Sequence, residues 1–137
     1  MTANELVTQS LRSIGILQET ESPSAEQSST ALTTLNDMMA DLQADGVDVG
    51  YAPQSDPNVD IGLNIEDRLA IKSLLAVILC PDYERQPSPI LVALAVAGRE
   101  RLLRNAIINN PVVTPLTLPR GDGQGLFGIR FNILTGR

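Results

Sequence analysis

Sixteen carboxylates, one thiol and no imidazole set the limits of the chemistry open to this 137-residue chain. Without His there is no Ser-His or Cys-His nucleophile pair and no imidazole ligand for a metal. Cys80 has no second cysteine to pair with, and it stands between an apolar run and a proline, so it reads as packing. What remains is a pair of carboxylates working as acid and base, as in glycoside hydrolysis. Glu19 with Glu21 and Glu66 with Asp67 are the candidate pairs. Their spacing selects neither: the first lies in a polar loop, and the second suits the first turn of a helix, where the dipole favours anions.

Three further stretches resemble sites by their letters. Asp56-Pro-Asn-Val-Asp60 has the alternate oxygen donors that open a calcium loop, but Ile61 stands where the loop needs glycine. Turn and capping chemistry is the reading adopted for it. Gly121-Asp-Gly-Gln-Gly125 lacks the Lys-Ser/Thr of a phosphate loop and reads as a flexible joint. Arg120-Gly121-Asp122 is too short a match to signify adhesion.

Two charged rows remain. Asp37, Asp41 and Asp45 recur every four residues, which stacks like charges on one helix face and places the last at the helix C-terminus. The row is either a solvated face or a surface that meets a partner's arginines or forms a negative wall. Arg99, Arg101 and Arg104 fall in the second half of another helix, where cations suit the dipole and Glu100 can pair with Arg104.

The net charge of −6 argues against a free-standing nucleic-acid binder and against an anionic membrane. No apolar run reaches the roughly 18 residues of a spanning helix, and Met1-Thr-Ala-Asn-Glu-Leu6 lacks a basic secretion start, so synthesis and retention in a cytoplasm are expected. With two Tyr, two Phe and no Trp, the core must be aliphatic, which suits helix packing.

The elements that position these residues follow from caps and periodicity. Thr2 and Glu5 form a capping box for a helix over residues 3–14, and Gly15 ends it with Ile16 folding back on Leu11. Ser24 and Gln27 open a second helix with the stripe Ala31, Leu32, Leu35, Met38, Met39 and Leu42, stopped at Gly46. A short extended exit over 47–51 and a long loop over 52–64 follow. Asn64 and Asp67 then cap a third helix so densely apolar that it should be the most buried, and Cys80-Pro81 breaks it. Ser88-Pro89 opens a fourth helix to about residue 109, with Ala93, Ala95, Ala97 and Gly98 permitting close approach of a neighbour. Past three prolines, Ile129, Phe131 and Ile133 alternate with Arg130 and Asn132 as in a strand, which either packs back on the body or adds to a neighbour. The expected fold is all-α: a four-helix body over 1–110, with a long loop before the third helix, and an extended C-terminal arm over 111–137 carrying a short strand.

The order of these motifs resembles the tail accessory, or head-to-tail adaptor, family of short-tailed phages. The resembling residues are helix 31–42 with L-N-D-M-M, the exit A-D-G-V-D-V-G-Y-A, and the proline loop. They continue with C-P-D-Y at 80–83, P-S-P at 87–89 and A-G-R-E-R-L at 97–102. The similarity spans residues 5–107 and departs at Asn64-Ile65, where proline would open the third helix.

The resemblance implies a non-enzymatic virion subunit in the neck of the tail, without cofactor or metal. It would join a ring of about twelve copies beneath the portal protein. Such a ring extends the DNA channel, helps retain packaged DNA, and offers later tail proteins a platform. A C-terminal extension that grips the portal would here use Phe127, Ile129, Arg130, Phe131 and Ile133. Asp37, Asp41 and Asp45 would pair with Arg99, Arg101 or Arg104 of the adjacent copy, or face the channel so that DNA passes without sticking. The competing readings are a carboxylate-based peptidoglycan hydrolase of the virion and a small acidic regulator of a host protein.

Overall fold

Thr2 and Ser24 each stand one residue before a helix, and each finds its reciprocal partner three residues on. The Thr2 hydroxyl accepts from the Glu5 amide at 3.2 Å while the Glu5 carboxylate accepts from the Thr2 amide at 2.9 Å. Ser24 and Gln27 repeat the arrangement at 3.2 and 2.9 Å. Both pairs satisfy amides that a helix start otherwise leaves orphaned. In the computed structural model, which describes residues 1–109, these caps open α1 (Ala3–Ser13) and α2 (Ala25–Ala44). They are followed by α3 (Arg68–Leu79), a 3-10 turn (Pro81–Tyr83) and α4 (Pro89–Asn109). The fold is all-α, as the periodicity implies. None of the described helices is long and apolar enough to cross a membrane.

Both glycine stops form. Gly15 at φ +73° lets the Ile16 amide reach the Leu11 carbonyl at 3.1 Å, and Gly46 at φ +87° does the same for Val47 and Leu42 at 2.9 Å. The start of α3 differs from expectation. Asp67 occupies the cap position but makes no side-chain cap bond; its backbone is already helical, at φ −91° and ψ −15°. Its carboxylate lies 3.7 Å from the Arg101 guanidinium instead. A charged partner outcompetes a neutral amide for an anion.

α3 is the hub, packed against α1, α2 and α4. Ile71, Leu75 and Leu79 are sealed from solvent with Leu6 and Leu11 of α1, Leu35 of α2 and Leu102 of α4. Cys80 completes this core as the sequence implies, its thiol donating to the Ala76 carbonyl at 3.2 Å.

The long loop is laced down at both ends. Tyr51 is buried, and its hydroxyl donates to Asn36 Oδ1 at 2.6 Å. Asn36 also accepts from the Gln54 amide at 3.1 Å and donates to the Gln54 carbonyl at 2.9 Å. Further on, the Asn4 amide donates to the Pro57 carbonyl at 2.8 Å and the Ile61 amide to the Met1 carbonyl at 3.2 Å, while Ile61 and Leu63 plug into the core. A loop without helical period is thus a fixed strap between α2 and α3.

Candidate functional site

The first half of the fourth helix is apolar on every side, yet among the described residues α3 is the one helix packed closely along it. Ser88 caps it, its Oγ accepting from the Leu91 amide at 3.2 Å, and Pro89 supplies the preset first turn. Leu91, Ala95 and Leu102 then face α3 and are buried. Between them Gly98 lies so near Ala70 that a Cβ there would stand 2.8 Å from the Ala70 Cβ. Of the small residues at the centre of α4, Gly98 serves close approach and Ala95 is buried, whereas Ala93 and Ala97 are exposed.

The remaining apolar residues of α4 have no cover among the described residues. Ile90 is 75% exposed, Leu94 44%, Val92 37% and Val96 54%. They form two flanks. At 3.6 residues per turn, Ile90, Leu94 and Ala97 lie along one side, and Val92 and Val96 sit nearly half a turn round from them. α3 repeats the pattern: Leu69, 52% exposed, and Ile78, 42% exposed, are nine residues and so two and a half turns apart. Leu69, Ala70, Leu94, Ala97, Gly98 and Arg101 enclose a shallow hollow of about 200 Å³. Ile65, 79% exposed, extends the first flank beyond Leu69. So many large apolar side chains in one region of a small body mark an interaction surface. The density of α3 in Ile, Leu and Val was visible in the sequence but suggested burial, and the apolar positions of α4 were read only for the small residues that permit close approach.

The charged rows are partly brought together. Asp37, Asp41 and Asp45 are exposed along α2. Asp45 meets Arg99 across the body, Oδ2 to Nη2 2.5 Å. Arg101 holds Asp67 at 3.7 Å and donates to the Glu66 carbonyl. Asp37, Asp41 and Arg104 have no ion-pair partner among the described residues, and the Glu100–Arg104 pair that their spacing allows does not form there.

The carboxylate candidates do not converge on a paired site. Glu66 and Asp67 line a cleft of about 450 Å³ with Asp48, Asn64 and Asn105, but the Asp67 carboxylate is engaged by Arg101. Glu21 accepts from the Gln18 amide at 3.3 Å in its loop, away from that cleft. In the calcium-like stretch, Asp56 and Asp60 close turns onto the Asn58 and Gly62 amides at 2.9 and 3.1 Å. Asp60 also takes the Met1 amine at 3.1 Å. The Gly62 amide and that amine hold its carboxyl below the usual range. Among the described residues no cluster of three or more metal-ligating side chains forms. Phe127, Ile129, Arg130, Phe131 and Ile133 lie outside the described residues, as does the expected strand.

A family model described as P22 tail accessory factor matches residues 1–131. No curated protein matches the chain.

Proposed function

The chain belongs to the P22 tail accessory factor family, and from that premise we propose that it is a head-to-tail adaptor that docks on the portal ring of a short-tailed phage. A structural protein of the phage tail is what the family supports directly. In the finer reading, copies of the chain form a ring of about twelve beneath the portal. The ring extends the DNA channel, helps to hold the packaged genome and carries the next tail proteins.

The observation that carries this reading is the fourth helix. It offers two exposed apolar flanks on a body whose candidate carboxylates do not converge on a paired site. A surface of that kind suits assembly. The body over 1–110 supplies the ring, and the arm over 111–137 grips the portal through Phe127, Ile129, Arg130, Phe131 and Ile133. The exposed Asp37 and Asp41 make an anionic surface of the kind along which DNA moves without binding.

Co-sedimentation with the purified portal ring tests the reading. The full chain is expected to travel with the portal, and a Phe127→Ala/Phe131→Ala variant to remain behind with unchanged helical circular dichroism. A variant that still travels with the portal removes the arm from the contact. A full chain that never travels with it removes the adaptor role.

A further inference from the structure

We propose that the proline-punctuated segment 111–119 folds back in cis along α4 and covers its second flank, so that the arm leaves the body at the Pro89 end of the helix and not at its C-terminus. The inference stands without the adaptor reading and adds to it the point from which a gripping segment starts.

The receiving surface runs almost the length of α4. Val92 and Val96, 37% and 54% exposed, are about one turn apart, and half-buried Leu103 and Ile107, 76% exposed, continue their row toward the end of the helix. At about 100° per residue, the four lie within about 60° of one another around the helix axis. Arg99 falls in the same row, but its guanidinium is engaged by Asp45. The row is therefore apolar and, among the described residues, largely open to water.

The segment that follows has the matching character. Residues 111–119 lie outside the described residues, and they read P-V-V-T-P-L-T-L-P. Three prolines favour the polyproline II helix, which has three residues per turn and no internal hydrogen bonds. Pro111, Thr114 and Thr117 then share one face, Val112, Pro115 and Leu118 a second, and Val113, Leu116 and Pro119 a third. Both threonines fall on one side and all four aliphatic residues on the other two. A plain spacer needs no such division.

The lengths agree. From Val92 to Ile107 α4 rises about 22 Å, at about 1.5 Å per residue. From Val112 to Pro119 a polyproline II segment also rises about 22 Å, at about 3.1 Å per residue. Asn110-Pro111 supplies the reversal between them, since this dipeptide favours a turn and proline cannot continue the helix.

Area selects the occupant. A standard interface takes roughly 800 Å² from each partner, and the exposed parts of Val92, Val96 and Ile107 supply only a fraction of that. A separate protein would find little to hold. A segment joined to the helix by a short link is present at an effective concentration of about millimolar, so a weak contact is enough to dock it. The Ile90–Leu94 flank, on the other side of α4, stays open for assembly.

Disulfide closure within the full chain tests the proposal, because the native Cys80 is buried. The antiparallel register sets residue 118 beside Val96. Leu94 is exposed at nearly the same height on the opposite flank, which makes it the matched control. At a dilution where chains do not meet, Val96→Cys/Leu118→Cys is expected to close on the order of ten-fold faster than Leu94→Cys/Leu118→Cys. A free tether closes both at similar rates, because its length alone then sets the effective concentration. Equal rates therefore overturn the proposal, as do faster closure at 94 and disulfides that form only between chains. A second readout avoids oxidation. In a Val96→Cys chain, Leu116→Asp/Leu118→Asp is expected to raise maleimide labelling several-fold at unchanged helical circular dichroism, and to leave the labelling of Leu94→Cys as it was. Labelling at 96 that is indifferent to these substitutions also overturns the proposal. No portal enters either experiment, so their outcome is separate from that of the adaptor role.

Discussion

Arg99 of α4 reaches back across the body to Asp45 at the C-terminal end of α2, Nη2 to Oδ2 2.5 Å. The pair offsets an anion placed where the dipole of α2 disfavours it. It also engages within one chain two charges expected to serve contacts between copies. Both side chains are more than a third exposed, so water and salt weaken the attraction. Arg99→Ala is therefore expected to cost under about 1 kcal/mol in urea unfolding, and the loss should shrink in molar salt. Asp45→Asn should erase the salt dependence and cost still less, because it also removes the unfavourable dipole contact.

Gly98 should not tolerate a methyl group. Alanine favours a helix interior over glycine by about 1 kcal/mol, but a Cβ at 98 meets Ala70 Cβ at 2.8 Å and Cα at 2.9 Å. α3 and α4 would have to separate along their whole contact, and overpacking of this kind typically costs about 1–3 kcal/mol. Gly98→Ala is expected to lower the urea midpoint, with Ala70→Gly/Gly98→Ala regaining part of it. A Gly98→Ala chain as stable as the wild type would mean that the helices are not this close.

Tyr51 ties the long loop to α2, and its phenol is held above the usual value by burial, with the hydrogen bond at Gln54 opposing the shift. Because the unfolded chain then releases this proton first, the contribution is complete below the ordinary phenol value of about 10 and is lost as pH rises through the higher folded value. Tyr51→Phe should cost about 1 kcal/mol at neutral pH, from the lost bond to Asn36. Above pH 10 its stability should fall less steeply than that of the wild type. Some slope should remain from Tyr83, which burial and Asp82 push in the same direction.

Cys80 is 1% exposed, and burial raises its thiol above the ordinary value. Thiol reagents are expected to label it only through unfolding, so the rate should rise with urea in step with the loss of helix. Rapid labelling in buffer would contradict the packing of α3.

The helices were legible because each end carries a local device. Thr2 with Glu5, Ser24 with Gln27, Gly15 and Gly46 act through neighbours in sequence, and all four form as read. Asp67 was misread because its partner, Arg101, lies 34 residues away on another helix, which spacing does not reveal. The strap was missed for the same reason: Asn36 and Tyr51 meet only once the chain has turned back. The interaction surface was hidden differently. A densely apolar helix such as α3 reads as buried, and the first half of α4 is apolar all round, but among the described residues α4 packs closely on α3 alone, which leaves both with exposed apolar side chains.

The adaptor role is tested most directly by native mass spectrometry of the full chain, alone and then mixed with the portal ring of the same phage. The account predicts a discrete complex of the portal with about one copy of the chain per portal subunit, as expected for a ring that matches the portal's symmetry. A portal ring that leaves the mixture at its own mass, with the chain still free at millimolar concentration, would contradict it.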